Sequence, residues 1–278
     1  MLSSGAAVST FALPLEQNAA PHQVLNFNLS VPGTVPDRQD MPHPHMALLD
    51  PTGAFILVPD LGADLLRVFA IDQENGDLKS CPSFNYTAGG GPRHGVFYEN
   101  VKDRMRGRGH GQGRDSGKTF LYVAGELNGE VEAFDVSYER GCLAFKQIET
   151  EVPYPAEELP EGASLGEIRR VGDDVYVSVR SDATFDGDDS IARLNKTCSG
   201  KVEFEEITSS NGVLPRTFAI NKAGDLVAVG NQISSNVAII ERDPATGALG
   251  KVVADLVVGV PSEPGSSLEG LSSIIWDE

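Results

Sequence analysis

The feature that most constrains this chain is a strand-and-turn pattern that its sequence repeats. Asp50-Pro51-Thr52-Gly53 and Asn221-Lys222-Ala223-Gly224 each precede a short apolar segment, a combination that predicts a tight β-hairpin. Segments 119–123 and 174–178 occupy the same place in two further units, and another strand-like segment follows each of the four. These anchor segments recur about every 50 to 65 residues. That spacing is typical of a propeller blade and longer than a leucine-rich or helical repeat.

The repeat predicts an all-β fold, a β-propeller in one domain, because each unit has room for four strands and no stretch shows a clear helical period. We expect residues 1–38 to form a partial blade, with a strand over 6–13, and residues 263–278 to supply a closing strand. The whole blades are expected at 39–88, 89–160, 161–211 and 212–262, so the chain holds about five blades. A basic, glycine-rich insertion at 102–118 is expected to be irregular and to lie outside any central site.

The charge of the chain excludes several classes of partner. Its 22 Lys and Arg against 40 Asp and Glu give a net charge of −18, and such a surface repels nucleic acid phosphates and anionic lipid headgroups. We therefore expect no nucleic acid or membrane partner. The first residues lack the basic and apolar regions of a signal peptide. The compartment is left open: cytoplasmic for the chain as it stands, secreted if preceding residues carry a signal.

The cysteines and glycosylation sequons give weaker information on the compartment. Cys81, Cys142 and Cys198 are too few for a disulfide framework, and at least one of them must be unpaired. The sequence contains no CxxC motif of the kind that would suggest a zinc site. The three Asn-x-Ser/Thr sequons suit a secreted protein, although one or two would arise by chance in this composition.

Polar residues stand at equivalent places in different units, at the starts of inner strands and at the ends of the next strands. In a propeller these places ring one mouth of the central channel, so we expect the residues to form one site. The first unit contributes Pro42-His43-Pro44-His45, and the second contributes Gly91-Pro92-Arg93-His94 and then Glu126. The third contributes Gly166-Glu167-Ile168-Arg169 and then Arg180, and the fourth contributes Arg216 and then Asn231 and Gln232.

This order of motifs resembles the seven-bladed β-propeller lactonase family, which includes bacterial-type 6-phosphogluconolactonase and fungal carboxy-cis,cis-muconate cyclase. The resemblance covers roughly residues 38 to 262. It implies that His45, Arg93, Glu126 and Arg180 are catalytic, with His43 as the alternative to His45. Because family members have seven blades, it also implies that about two N-terminal blades are missing here. The sequence departs from the family at Gly125 and Val179, where an Asn is common. The remaining candidates, expected to bind substrate, are His43, His94, Arg216, Asn231 and Gln232.

These residue types suit a reaction on a small anionic lactone or its open acid. Hydrolysis needs a base to activate water, for which Glu126 and His45 are both candidates, and groups that stabilise an oxyanion. Arginine forks match carboxylate or phosphate oxygens, so Arg93, Arg180 and Arg216 suit anchoring. A muconate cyclase would need the same groups, so the sequence does not separate hydrolase from cyclase.

Other interpretations of the same residues remain open. His43 and His45 could pair around a metal, but no third ligand is suitably spaced, so we expect no metal and no cofactor. Glu126 could be an acid paired only with a neighbouring arginine. The alternative function is a non-catalytic binding scaffold or a truncated, inactive homologue. Five blades in an arc would expose two lateral faces, so self-association is also expected.

Overall fold

The computed structural model describes residues 6–99, 117–262 and 270–278. Within these ranges every regular element is a β-strand, which confirms the all-β prediction. Residues 102–116 of the insertion lie outside the described residues, so the expectation for that segment stays a prediction. The described part of the chain contains no helix with the length and apolar character needed to cross a membrane.

A two-stranded antiparallel sheet lies nearest the N-terminus, where the partial blade was expected. It pairs β1 (Ala7–Thr10) with β2 (Gln23–Asn26). Val8 and Leu25 of this sheet pack against a buried apolar cluster in the next one, formed by Val58, Phe69 and Leu78. Burying these side chains together attaches the small sheet to its larger neighbour.

The next sheet has five strands where four were expected. Its strands are β3 (Leu48–Leu49), β4 (Phe55–Asp60), β5 (Leu65–Ile71), β6 (Leu78–Ser80) and β7 (Phe84–Asn85). Strands β6 and β7 both pair with β5, and Pro82 lies between them in the sequence. The inner strand β3 is short, and an isolated bridge from Pro44 to Asp60 continues its line. Proline cannot donate a ladder hydrogen bond, which accounts for the interruption at Pro82.

Three four-stranded sheets follow, each ordered as in the sequence. The first contains β8 (Pro92–Glu99), β9 (Thr119–Gly125), β10 (Val131–Glu139) and β11 (Cys142–Glu151). The second contains β12 (Ser164–Val171), β13 (Asp174–Arg180), β14 (Ser190–Lys196) and β15 (Val202–Ser209). The third contains β16 (Pro215–Ile220), β17 (Leu226–Asn231), β18 (Asn236–Arg242) and β19 (Leu249–Val257).

The repeat found in the sequence is reproduced in the hydrogen bonds of its turns. Oδ1 of Asp50 accepts the amide of Phe55 at 2.8 Å, and Oδ1 of Asn221 accepts the amide of Leu226 at 3.0 Å. The glycine of each turn has a φ of +73° or +76°, a conformation that favours glycine over other residues. The two turns therefore have equivalent side-chain acceptors and the same glycine conformation at the points where β4 and β17 begin.

The chain divides into two compact units. The first comprises Met1–Arg93, Phe97–Leu121 and Asp135–Lys146, and the second comprises His94–Val96, Tyr122–Phe134 and Gln147–Glu278. In the first unit a disulfide joins Cys81 to Cys142, which links the β6–β7 connection to the first residue of β11. Cys198 of the second unit is free and exposed, as the odd cysteine count required.

In the second unit the sheets β12–β15 and β16–β19 share an apolar core. Tyr176, Ile191 and Phe218 are buried in it beside Val227, Val229 and Ile240. Residues 271–276, expected as a closing strand, form no strand. Instead the indole N–H of Trp276 donates a hydrogen bond to the carbonyl of Ala219 in β16 at 3.0 Å. This segment therefore contacts β16 through a side chain and not through strand pairing.

Candidate active site

Two inner strands of the second unit are irregular at the positions that carry predicted site residues. The register of β12 against β13 shifts between Leu165 and Ile168, and that of β16 against β17 shifts between Pro215 and Thr217. A β-bulge turns side chains away from simple alternation and is common beside active sites. Arg216 lies in the second shift. These bulges fix where the polar side chains at the strand starts point.

Gly166, in the bulge of β12, lies where several elements meet. A Cβ atom there would come within 2.5 Å of Ser178 Oγ, and within 3.2 Å of both Arg180 Cδ and the carbonyl oxygen of Pro215. The Ser178 hydroxyl oxygen accepts the Glu167 amide at 2.8 Å. Glycine is needed here because β12 approaches the end of β13 and the start of β16 too closely for a side chain.

Glu126 and Arg180, both predicted as catalytic, form a buried ion pair. Oε2 of Glu126 lies 3.0 Å from Nη2 of Arg180, and their side chains are only 4% and 8% exposed. The same Nη2 donates to Ser164 Oγ and to the Leu165 carbonyl, each at 2.9 Å. Arg180 is therefore fixed between the end of β9 and the start of β12, with its charge balanced by Glu126.

His94 makes a second buried contact, which the sequence did not predict. Its Nδ1 lies 2.7 Å from Oε1 of Glu167, with side-chain exposures of 14% and 3%. Glu167 Oε1 also accepts the amide of Ile168 at 3.2 Å and lies 3.5 Å from Nη2 of Arg169. The segment 166–169 was expected at the channel mouth because it starts an inner strand, as Arg93 and Arg216 do, but Glu167 was given no catalytic or binding role there.

Asn231 and Gln232, predicted to bind substrate, lie at the end of β17 beside the β16 bulge. Asn231 pairs with Pro215 in the sheet register, and its Nδ2 donates to the Ser210 carbonyl at 3.0 Å. Both side chains are buried, and Asn231 Oδ1 and Gln232 Oε1 accept no hydrogen bond from the described residues. Buried amide oxygens normally have donors, so this pair is unusual.

The remaining predicted residues, His43, His45 and Arg93, lie in the first unit. Arg93 is 1% exposed in β8. The loop that precedes it is held by Asp64, whose carboxylate oxygens accept the amides of Gly89 and Gly91 at 2.7 and 2.9 Å. Asp64 thus holds a turn through its side chain, as aspartate commonly does.

The two histidines of the Pro-His-Pro-His motif differ in their partners. Nε2 of His43 lies 2.9 Å from Asp40 Oδ1, and this hydrogen bond holds the pKa of Asp40 below 3.8. The His43 amide donates to Asp60 Oδ1 at 2.7 Å, and the His45 amide donates to the Pro59 carbonyl at 3.0 Å. The choice between His43 and His45 as a catalytic group stays a prediction.

In the second unit the structure brings together two of the residues predicted as catalytic and links His94 to them. Glu126 contacts Arg180 directly, and residues 165–167 join Arg180 to His94 through Glu167. The convergence of His45 and Arg93 with this group stays a prediction. Among the residues that the structure describes, no group of three or more His, Cys, Asp or Glu side chains could hold a metal ion.

Comparison with known proteins gives consistent results. The family model described as "Lactonase, 7-bladed beta-propeller" matches residues 4–263. A protein of Arthroderma benhamiae named "Probable 6-phosphogluconolactonase" is 34% identical over 226 residues, which are 80% of this chain and 52% of that protein. The 6-phosphogluconolactonase of Bacillus subtilis is 27% identical, with 81% of this chain and 57% of that protein covered.

Solved structures agree with this family match. A crystal structure of a protein from Lactobacillus plantarum superposes with a TM-score of 0.73 at 25% identity, covering 93% of this chain and 66% of that one. The chain spans about half the length of the curated relatives it matches. The motif order, the sheets and the match over residues 4–263 agree, and the chain belongs to the seven-bladed β-propeller lactonase family.

Proposed function

We propose that this chain acts on a small anionic lactone as a metal-independent hydrolase, with 6-phosphogluconolactone as the substrate to test first. The observation that carries the proposal is the buried Glu126–Arg180 ion pair, which lies against the same segment of β12 as the His94–Glu167 contact. Arg180 contacts Leu165 and His94 contacts Glu167 of the same strand, and a guanidinium and an imidazole are the types of anion-binding and proton-accepting group that ester hydrolysis requires. The names of the relatives support this substrate class.

The predicted residues other than His94 have the following roles in this proposal. Arg180, oriented by Glu126, stabilises the oxyanion that forms when the lactone carbonyl is attacked. Arg93 and Arg216 bind the anionic group of the substrate, because guanidinium forks match carboxylate and phosphate oxygens. The side-chain oxygens of Asn231 and Gln232 accept substrate hydroxyls. His45, with His43 as the alternative, and Glu126 are the candidates for the base that the sequence identified.

The experiment is a turnover assay of the wild-type chain with 6-phosphogluconolactone and, separately, with a carboxymuconolactone. Hydrolysis of the first above the spontaneous rate supports the proposal, whereas turnover of the second alone would favour a cyclase. Binding of gluconate 6-phosphate without turnover of either would favour the scaffold alternative and contradict the hydrolase.

Substitution of Arg93 tests the anchoring role. We expect Arg93→Ala to raise KM about 10- to 100-fold, since a charge-assisted hydrogen bond contributes about 1.5–3 kcal/mol. Arg140→Ala is the control, because Arg140 is exposed in the turn between β10 and β11. An unchanged KM in Arg93→Ala would contradict the role of Arg93 in binding.

A further inference from the structure

The structure places the three Asn-x-Ser/Thr sequons in different surroundings. A sequon can carry an N-linked glycan where a bulky, hydrated sugar has room at the protein surface. The asparagine and the hydroxyl residue are exposed in two sequons and partly buried in the third. In chain order the sequons are Asn28-Leu29-Ser30, Asn85-Tyr86-Thr87 and Asn195-Lys196-Thr197.

The sequon at Asn85 lies on a short outer strand. Phe84 and Asn85 form β7, and the Phe84 ring packs edge-on against Phe145 with ring centroids 5.8 Å apart. Because successive side chains of a strand point to opposite faces, Asn85 points away from this contact. Tyr86 is buried and Thr87 is exposed, so the asparagine and the threonine lie on the same side of the chain. Both residues that define the sequon are therefore accessible.

The sequon at Asn28 shows the same alternation of exposure. Asn28 and Ser30 are exposed, and Leu29 between them is partly buried. The segment follows the end of β2, in the small sheet that β2 forms with β1. The two sequons of the first unit therefore both present an asparagine and a hydroxyl residue to solvent.

The sequon at Asn195 is held inside a sheet and a turn. In the sheet register Asn195 of β14 lies between Asp174 and Glu203 of the neighbouring strands. Its Nδ2 donates to Asp174 Oδ1 at 3.3 Å, and Thr197 Oγ1 donates to the Lys201 carbonyl at 3.3 Å. A sugar bonded to this nitrogen would have to fit beside Asp174, whose side chain is only 13% exposed. Asn195 is therefore a poor acceptor in the folded chain.

The cysteines provide a second, independent observation. The disulfide between Cys81 and Cys142 joins the segment that precedes β7 to the first residue of β11. Disulfides form and persist in oxidising compartments such as the secretory lumen and are rare in the cytosol. N-linked glycans are likewise a feature of secreted proteins. The disulfide and the exposed Asn85, four residues after Cys81, therefore indicate the same kind of compartment.

We propose that this chain matures in an oxidising secretory compartment and carries N-linked glycans at Asn85 and Asn28 but not at Asn195. In the transfer, the asparagine amide nitrogen bonds to the anomeric carbon of an oligosaccharide linked to a polyprenyl pyrophosphate. The bond from that carbon to the pyrophosphate oxygen breaks, and the polyprenyl pyrophosphate leaves with the electron pair. The amide nitrogen releases one proton. This inference does not depend on the proposed lactone hydrolysis.

The test is made on the chain purified from the organism that encodes it. Residues 80–93 form one tryptic peptide that contains both Cys81 and Asn85, so mass spectrometry of this peptide reports the disulfide and the glycan together. Before reduction we expect this peptide to be joined to peptide 141–146, which contains Cys142. Treatment with peptide-N-glycosidase in heavy-oxygen water should convert Asn85 and Asn28 to labelled aspartate.

Asn195 and Cys198 are controls within the same sample. A glutamate-specific protease releases residues 168–203, in which Asn195 should remain an unlabelled asparagine. Cys198 is free and exposed, so an alkylating reagent should modify it without reduction. Cys81 and Cys142 should react only after reduction. Labelling of Asn195 to the same extent as Asn85 would contradict the distinction between the sequons.

Substitution of Thr87 in the same organism separates glycosylation from other changes at Asn85. Thr87→Ala removes the hydroxyl that the sequon requires, so we expect complete loss of the label at Asn85, whereas Thr87→Ser should keep it. Both variants should keep the label at Asn28. A label that persists at Asn85 in Thr87→Ala would come from deamidation and would overturn the proposal. An unlabelled Asn85 in the wild type, or alkylation of Cys81 and Cys142 without reduction, would also overturn it.

Discussion

The two ends of strand β13 hold their charged residues in different ways. At its first residue, Asp174 lies between two arginines, with Oδ2 at 2.6 Å from Arg242 Nη2 and Oδ1 at 3.4 Å from Arg193 Nη1. At its last residue, Arg180 faces Glu126 at 3.0 Å, and the nearby Glu167 and Asp182 add further carboxylates. At one end an acid lies between two arginines, and at the other end an arginine faces an acid with two further carboxylates nearby in the chain.

The partners of the arginines make the contrast sharper. Arg242 uses all three nitrogens, because Nε donates to the Tyr176 hydroxyl at 2.6 Å and Nη1 donates to the Gly224 carbonyl at 2.9 Å. These contacts join the sheets β12–β15 and β16–β19 within the second unit. A buried cation with every nitrogen fixed suits stability, whereas buried acids and a histidine beside an arginine suit proton transfer. We therefore expect substitutions at the Asp174 end to alter stability, and substitutions at the Arg180 end to alter turnover.

The largest effect is expected from Arg242→Met. Removing the buried guanidinium leaves the partly buried Asp174 with only the longer contact to Arg193, and breaking a buried ion pair costs about 3–5 kcal/mol. The free energy of unfolding, measured by urea denaturation, should fall by that amount, while kcat of the folded fraction stays unchanged. A loss of kcat with unchanged stability would reverse the assignment of the two ends.

Glu126→Gln should have the next largest effect, on turnover. Without its counter-charge, Arg180 loses the partner that orients it, and a small misplacement of such a group costs about 100-fold in rate. The measurement is kcat/KM for 6-phosphogluconolactone. Glu206→Gln is the control at the other end, because Glu206 Oε1 pairs with Arg193 Nε at 2.9 Å. Equal activity of the two variants would show that the ends do not differ in function.

The sequence predicted features that depend on local turns and on the repeat, but not the contacts made at a bulge. The turn at Asp50 and its repeat at Asn221 were predictable, because turn residues act through local hydrogen bonds. Glu126 and Arg180 were placed in one site by the phase of the repeat, and they are in contact. The same phase placed segment 166–169 at the channel mouth, but the contact of Glu167 with His94 was not predicted, because a bulge interrupts the two-residue alternation on which strand prediction depends.

Contacts between sheets were also beyond the sequence. The partners of Arg242 come from β13 and from the turn at Gly224, and nothing in the local pattern of β18 identifies them. The disulfide was not predictable either, since three cysteines allow several pairings and spacing alone does not select Cys81 and Cys142. Side-chain pairing across sheets depends on packing, which periodicity does not determine.

A smaller effect is expected from Tyr176→Phe. The Tyr176 hydroxyl accepts Arg242 Nε at 2.6 Å and donates to the Gly247 carbonyl at 2.5 Å, so its loss should lower the free energy of unfolding by about 1–3 kcal/mol. Burial raises the pKa of Tyr176 from 10.0 to about 12. The stability that the hydroxyl contributes is therefore present below pH 10 and lost between pH 10 and 12.

Comparing the wild type with Tyr176→Phe over that range tests the pH dependence. The difference in unfolding free energy should shrink as pH rises from 10 to about 12. A difference that is constant over this range would contradict the raised pKa.

The smallest effect is expected at Asp182, next to the Arg180 end. Its carboxylate accepts hydrogen bonds from neutral hydroxyls, those of Ser190 at 2.5 Å, Thr184 at 2.7 Å and Tyr154 at 3.1 Å. Burial raises the pKa of Asp182 above 3.8, although these hydrogen bonds oppose the shift. A folded-state pKa above the unfolded value means that the contribution of Asp182 to stability is full below pH 3.8 and declines as pH rises through the raised pKa.

Asp50 is the control for the Asp182 prediction, because its pKa is shifted in the opposite direction. Burial pushes the pKa of Asp50 upward, but hydrogen bonds from Thr52, Phe55 and Tyr138 outweigh it and hold the pKa below 3.8. Urea denaturation from pH 2 to 6 would compare the wild type with Asp182→Asn and with Asp50→Asn. The stability difference for Asp182→Asn should decrease as pH rises above 3.8, whereas that for Asp50→Asn should increase as pH rises toward 3.8. If both differences change in the same direction, Asp182 does not favour its protonated form, and the contrast between the two ends of β13 rests on geometry alone.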